Sequence, residues 1–315
     1  MIAHWLCEVE HGEVGPRYSL SPDWIAGSIS SFHLYEGVLA TITIRIDSRW
    51  VIEPSREIHG ERYLVMDIPT IEAVATVTTE QMIEVDRLMI EEYKIELIQM
   101  MENAGRNLAR LAIQRFLDGE PANRRITVLA GRGGNGGGAI VAARRLYSWG
   151  AHVELFTSSP KADYSGIPQH QLHIADRIGI PIFDSELPQS HGDLILDGLI
   201  GYSLRGAPRG RAAELINFAN GVDAPTLSLD APSGIDTASG TSYEPSISAS
   251  ATLTLALPKA GLFSESAIAQ TGELYLGDIS VPPSLYERLE LEVPASLFGT
   301  SDIVRIAGNA PPLAK

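Results

Sequence analysis

A chain of 315 residues with 44% hydrophobic and 20% charged content has the make-up of an ordinary globular protein, long enough for one large α/β domain or two smaller ones. Its net charge of −15 argues against a general nucleic-acid binder, which needs a basic face, but leaves room for a nucleotide site served by backbone amides and a few local arginines. The single cysteine, Cys7, excludes an intramolecular disulfide and a cysteine-built zinc site.

The opening MIAHWLCEVEHGEVG lacks a basic start and a long apolar run, so it reads as neither a secretory signal nor a transit peptide. No apolar stretch approaches membrane-spanning length, and the expectation is a soluble, cytoplasmic protein. Residues 1–70 form an N-terminal β-rich extension of unknown role. Val38 to Ile46 (VLATITIRI) alternates as a half-buried strand does, and Arg49–Ile52 and Arg62–Ile68 suggest further short strands. Met66 is an alternative start. His4, His11, His33 and His59 have no metal-ligand spacing.

Residues 71–295 read as the main domain. Thr78 with Gln81 makes a capping box, and Met82, Val85 and Met89 form the apolar stripe of a helix. After a break near Tyr93-Lys94 a second helix runs from about Glu96 to Phe116, with Met101, Ala104, Leu108, Leu111 and Ala112 inward. Ala104-Gly105, just after the polar pair Glu102-Asn103, lets that helix approach another backbone closely. Arg124 to Ala151 (RRITVLAGRGGNGGGAIVAARRLYSWGA) is a strand, a glycine loop and a helix expected over Ala139–Trp149, with Gly150 as its left-handed cap. Gly131, Gly133 and Gly136 fit the G-x-G-x-x-G spacing, and a loop without side chains at a helix N-terminus suits a phosphate. A tight structural turn would also use glycines. The lysine of a P-loop is missing, which argues against a Walker-type NTPase.

Alternation continues: strands at His152–Phe156, Ile180–Phe183, Asp193–Ile200, Thr226–Leu229, Ala251–Leu257 and Gly272–Val281, and helices at about Ile167–Ile178 and Arg211–Asn220. Strands alternating with helices imply a mainly parallel, doubly wound sheet covered on both faces, with its ligand beyond the carboxyl ends of the strands. A Pro/Ala-rich, mobile tail is expected over residues 296–315. Asn135 in the glycine loop, Asp197 ending one strand, and Asp230 with Ser233 after another all fall at that carboxyl edge. An aspartate at a strand end is often a turn former or helix cap; two at neighbouring ends beside a glycine loop suggest a site. Asn135, Asp197 and Ser233 offer hard oxygen ligands suited to an alkali or alkaline-earth ion. Arg205, Arg209 and Arg211 are candidates for phosphate contacts. His170 and His173 read as a solvated helix face. No serine has the nucleophile-elbow spacing, and Glu154 lies inside its strand, unlike the ribose-binding acid of a dehydrogenase.

The segments TTEQMIEVDRLMIEE, MMENAGRNLA, VLAGRGGNGGGAIVAARRL, LILDGLIGYSLRGAPRG, SLDAPSGIDTASG and LPKAGLFSESAIAQTGELYLGDISVPP, collinear over Thr78–Pro283, together resemble the YjeF N-terminal domain family, the NAD(P)H-hydrate epimerases. The resemblance implies a three-layer α/β/α Rossmann-like sandwich that interconverts the R and S epimers, at carbon six of the nicotinamide ring, of hydrated NADH and NADPH. It implies potassium held by Asn135, Asp197 and Ser233. It implies substrate contacts from Gly134, Asn135, Gly136, Gly137 and Gly138, from Gly201, Tyr202, Ser203, Leu204, Arg205, Gly206 and Ala207, and from Asp230, which we take as the catalytic acid/base group. It also implies a homodimer, and a separate ADP- or ATP-dependent dehydratase acting in the same pathway. The chain departs from the family's Asn-Asn-Gly-Gly-Asp loop by Gly134 for its first Asn and Gly138 for its Asp, with Ala139 where Gly is usual. A carboxylate able to accept from substrate hydroxyls is thereby absent, and a non-catalytic nucleotide-binding or protein-interaction module of the same fold is the alternative.

Overall fold

The computed structural model describes residues 7–12, 15–20, 56–58, 61–63, 68–72 and 74–307, and the chain divides into two compact units, Met1–Asp67 and Ile68–Lys315. In the first unit, β1 (Cys7–Gly12) pairs antiparallel with β2 (Gly15–Leu20), and β3 (Arg56–Ile58) with β4 (Glu61–Tyr63). The strands expected at Val38–Ile46 and Arg49–Ile52, the alternative start Met66, and His4, His33 and His59 lie outside the described residues.

The second unit runs β5 (Thr70–Ile71), α1 (Thr79–Glu91), α2 (Leu97–Phe116), β6 (Arg125–Ala130), α3 (Gly134–Ser148), β7 (His152–Thr157), α4 (Gly166–Arg177), β8 (Ile182–Phe183), β9 (Leu194–Gly198), α5 (Gly210–Asn220), β10 (Thr226–Leu229), β11 (Ala251–Leu255), α6 (Glu265–Thr271), β12 (Glu273–Gly277), α7 (Pro283–Arg288) and β13 (Ile303–Ile306). The capping box forms as its spacing predicts. The Gln81 N–H donates to the Thr78 hydroxyl at 3.2 Å, and the Thr78 N–H donates to Gln81 Oε1 at 2.9 Å. Met82, Val85, Leu88 and Met89 make the buried stripe of α1.

One sheet collects all nine strands of this unit, in the order β5-β13-β12-β11-β10-β9-β6-β7-β8. Its pairs are parallel except β12 with β13. From β6 the chain winds outward through β7 and β8, then returns to β9 on the other side and winds the opposite way. The reversal between β6 and β9 is the topological switch point, where open α/β sheets bind ligands. Within β6 the side chains divide by their two-residue period. Ile126, Val128 and Ala130 pack with residues of α2, α3 and α4, whereas Leu129 packs with Leu215, Ile216 and Ala219 of α5. Both faces are therefore covered, as a parallel sheet requires. Among the described residues, no helix is long and apolar enough to cross a membrane.

Two expectations are corrected. The helix expected from Ala139 begins at Gly134, inside the glycine loop, with Gly133 as its N-cap. A glycine in a helix costs about 1 kcal/mol against alanine, but these glycines are held by tertiary packing. The Gly137 N–H donates to Gly133 O at 3.0 Å, and Gly136, Gly137 and Gly138 are buried. A Cβ on Gly105 of α2 would stand 2.5 Å from Gly138 O and 2.4 Å from Val141 Cβ. The close approach foreseen at Ala104-Gly105 is thus made to α3. The second correction concerns the tail. Ile303, Val304 and Ile306 are buried and form β13, because this short β-branched, apolar run supplies a strand between β12 and β5.

Candidate active site

The carboxyl ends of β6, β9 and β10 meet at the switch point. Register aligns Leu129 of β6 with Asp197 of β9, and Asp197 with Ser228 of β10. A cavity of about 400 Å³ opens above them. Gly133, Gly134 and Asn135 line it from the first turn of α3, Gly201, Tyr202 and Ser203 from the loop after β9, and Asp230 from the end of β10; Met100, Met101 and Ala104 of α2 add an apolar wall. The N–H groups of a helix's first turn have no partners within the helix, so the turn at Gly134 offers donors to an anion.

Asp230 sits in the left-handed region, φ 67°, a conformation aspartate tolerates better than most residues but which still signals local strain. Asp230 is 4% exposed, and Lys259, the residue that meets it, is 0% exposed. Lys259 Nζ donates to Asp230 Oδ1 and, at 3.0 Å, to Leu255 O. The Tyr202 N–H donates to the other carboxylate oxygen, Oδ2, at 2.9 Å. Backbone bonds fix the lysine in turn: Val77 N–H donates to Pro258 O at 2.9 Å and Ala260 N–H to Val77 O at 3.0 Å. The segment before α1 is therefore stitched to both sides of Lys259.

Asp197 is wholly buried and accepts four hydrogen bonds, all from neutral donors. Oδ1 takes Leu199 N–H at 3.1 Å and Ser233 Oγ–H at 2.6 Å; Oδ2 takes Ser228 Oγ–H at 2.8 Å and Ser233 N–H at 2.9 Å. Desolvation outweighs these bonds and pushes its carboxyl above the ordinary range. Asn135 Nδ2 donates to Leu229 O at 3.0 Å, and its Oδ1 lies 3.3 Å from where a Cβ on Gly201 would stand. Asn135, Asp197 and Ser233 are thus gathered around the β9 end. A buried carboxylate with only neutral partners, beside a free amide oxygen and rotatable hydroxyls, fits a monovalent cation.

The other sequence candidates fall elsewhere. Gly136, Gly137 and Gly138 lie beneath the cavity lining, and a Cβ on Gly138 would meet Leu229 Cδ2 at 2.7 Å and Ala104 Cβ at 3.9 Å. Both of those neighbours line the cavity, so position 138 lies directly behind its wall. Leu204, Arg205, Gly206 and Ala207 continue the loop beyond the cavity lining, with Arg205 exposed. Arg209 is exposed at the start of α5. Arg211 is turned away from phosphate duty, donating to Thr157 O and Glu186 O, each at 2.6 Å, and to Phe183 O at 3.3 Å. His170 and His173 are exposed on α4. The polar pair in α2 has a packing role: Glu102 accepts from Arg144, Arg145 and Gln171, tying α2 to α3 and α4.

Two charged cavity residues were not foreseen. Lys259 follows Pro258 within an apolar run, a placement that marks a buried cation, yet it ends no motif. Asp86 of α1 also lines the cavity, although a helix preceding the sheet lies outside any search of strand ends.

The family model for the YjeF-related protein N-terminus matches residues 97–261. An NAD(P)H-hydrate epimerase of Dehalogenimonas lykanthroporepellens is 42% identical over 240 residues, covering 76% of this chain and 95% of that protein. The bifunctional NAD(P)H-hydrate repair enzyme Nnr of Moorella thermoacetica is 36% identical over 218 residues, 66% of this chain and 41% of the relative. Among solved structures, the yeast protein ynu0 superposes with a TM-score of 0.60 at 22% identity, over 74% of this chain and 100% of that one, a likeness of fold.

Proposed function

The chain belongs to the YjeF-related N-terminus family, and from that premise we propose that it is an isomerase, an NAD(P)H-hydrate epimerase interconverting the R and S forms of hydrated NADH and NADPH. The observation that carries this reading is one cavity at the switch point, holding both the open first turn of α3 and the buried Asp230–Lys259 pair. The first suits a dinucleotide's phosphates, the second proton transfer at a ring carbon. The alternative, a non-catalytic module, draws on Gly138, a buried residue that packs behind the cavity wall and does not itself line it.

Epimerisation at a hydroxylated carbon requires the hydroxyl to leave or the ring to open, then the bond to re-form on the other face. Asp230 takes the acid/base role. Lys259 and the Tyr202 N–H each bind one of its two oxygens, fixing the carboxylate's orientation and the direction of its free lone pairs. The apolar wall of Met100, Met101 and Ala104 excludes bulk water from the ring. Asp230→Asn should lower turnover at least about 100-fold, since one general acid or base contributes roughly 10²–10⁴, while leaving substrate affinity within about threefold. An assay resolving both epimers reads this, and unchanged turnover would sink the assignment.

We further propose potassium at Asn135, Asp197 and Ser233, where it supplies the positive charge that Asp197 lacks. Its removal has a stability readout. Burial raises the Asp197 carboxyl above its unfolded value, so the folded state binds the proton more tightly, and the ionised carboxylate costs stability once pH exceeds the folded value. Cation binding offsets that cost, so its stabilising effect should grow as pH rises through the raised value and fade in acid. At a concentration 100 times the dissociation constant the gain is about 2.7 kcal/mol. Replacing choline chloride by potassium chloride at fixed ionic strength should raise Tm in the native protein and not in Asp197→Asn. Equal shifts in both would remove the cation from this place. A separate ADP- or ATP-dependent dehydratase is the proposed consumer of one epimer.

A further inference from the structure

Inverting a ring carbon needs a proton donor on one face and an acceptor on the other, and Asp230 supplies one group. The same cavity holds a second carboxyl. Asp86 of α1 is half-buried, lines the cavity, and accepts a 2.5 Å hydrogen bond from the Tyr202 phenol. Tyr202 is therefore gripped at both ends by carboxyl groups: its N–H by Asp230, its hydroxyl by Asp86. The tyrosine thus spans the gap between the two carboxyls, and both line the cavity. Lys259 sits on the Asp230 side, with its Nζ 5.9 Å from the centre of the Tyr202 ring.

We propose that Asp86 and Tyr202 form a second proton-transfer pair, acting on the opposite face of the substrate ring from Asp230 and making the enzyme a two-base epimerase. This rests on the epimerase reading and deepens it. Asp230 faces an ammonium, whereas burial raises the Asp86 carboxyl, against the opposing effects of the Tyr202 hydrogen bond and Lys259 and with a smaller push from Asp230. The phenol is likewise pushed up, by burial first and then by Asp86. Both groups therefore favour the protonated form that a donor needs.

The step balances. Tyr202 passes its proton to the departing ring hydroxyl and is reprotonated by the Asp86 carboxyl. The C–O bond breaks with its electron pair going to oxygen, which leaves as water, while the ring nitrogen's lone pair forms a C=N bond. A second water adds from the other face, its lone pair making the new C–O bond as the C=N pair returns to nitrogen, and its proton passes to the Asp230 carboxylate. One water leaves and one enters, and a proton has moved from Asp86 to Asp230. The site is then set for the reverse reaction, or is reset by exchange with solvent.

The test measures turnover of both epimers by the unmodified protein and by Asp86→Asn, Asp86→Glu and Tyr202→Phe, across pH. Asp86→Asn should lower kcat at least about 100-fold with KM within threefold, and should abolish the alkaline fall of kcat that deprotonation of the donor imposes. Asp86→Glu should restore at least a tenth of the activity with that alkaline limb intact. Tyr202→Phe, which removes one hydroxyl and leaves the ring, should lower kcat at least tenfold and carries the test if Asp86→Asn does not fold. A kcat within threefold of the unmodified protein in Asp86→Asn or in Tyr202→Phe, or a loss seen only in KM, overturns the pair while the epimerase reading stands. An unmodified protein without turnover overturns both.

Discussion

Replacing Lys259 with methionine should lower the free energy of unfolding by about 3–5 kcal/mol, the usual cost of removing one partner from a buried ion pair. Methionine fills much the same length, so the loss is of charge more than of volume. Lys259 is 0% exposed and Asp230 4%, and without the ammonium the carboxylate keeps only the Tyr202 N–H as a hydrogen-bond donor. The penalty belongs to the stranded charge. Denaturant titrations of native and variant protein at pH 8 decide the matter. A difference below about 1 kcal/mol at pH 8 would mean that Asp230 finds another partner. Turnover should fall along with stability, because the lysine also aims the carboxylate.

Gly136→Ala should cost about 3 kcal/mol or more and cripple the loop, whereas Gly134→Ala, two residues earlier, should cost nothing. Both are glycines of one short motif, yet their surroundings are opposite. A Cβ on Gly136 would fall 1.7 Å from Gly131 O and 2.5 Å from Gly131 C, atoms of the backbone that cannot swing aside. Overpacking against side chains costs about 1–3 kcal/mol, and a backbone obstacle removes the cheap ways of relaxing. A Cβ on Gly134 would meet nothing within 4 Å, and alanine is the better helix former there by up to about 1 kcal/mol. The methyl group would nevertheless stand at the mouth of the turn where phosphate is proposed, so Gly134→Ala should raise KM without lowering Tm. Thermal unfolding of the two variants side by side reads the contrast. Equal losses of Tm would contradict the division of the loop into pinned and open glycines.

Much of this organisation was legible in the sequence because it is written in local spacing. The capping box at Thr78 and Gln81, the left-handed Gly150 and the apolar strands need only near neighbours to declare themselves. The carboxyl-edge residues Asn135, Asp197, Asp230 and Ser233 were legible for a second reason, that a doubly wound sheet gathers its strand ends. What escaped was set by tertiary contact. Gly134 to Gly138 read as a loop, since six glycines across Gly131–Gly138 are poor helix formers, and it is the packing of α2 against α3 that makes a helix of them. Asp86 carries no signal of its own beside the Met82–Val85–Met89 stripe, because nothing in the α1 segment says that Tyr202 will reach it from the loop after β9. Lys259 was hidden likewise: its partner is Asp230, and only the fold brings the ends of β10 and β11 together.

The position of β13 bears on the order in which the molecule can be made. This strand separates β5 from the rest of the sheet, so β5 has no partner until Ile303–Ile306 has been synthesised. On the ribosome the strands from β6 to β12 can pair as they emerge, each adding to a sheet already begun, while Thr70–Ile71 waits through more than 200 residues of translation. Pairings of such sequence separation form late, since their loop-closure entropy must be met before any contact rewards it. The nascent chain thus carries an unfinished sheet edge at β12 until its last described strand arrives. That interval is when a neighbouring copy or a chaperone would find the edge open.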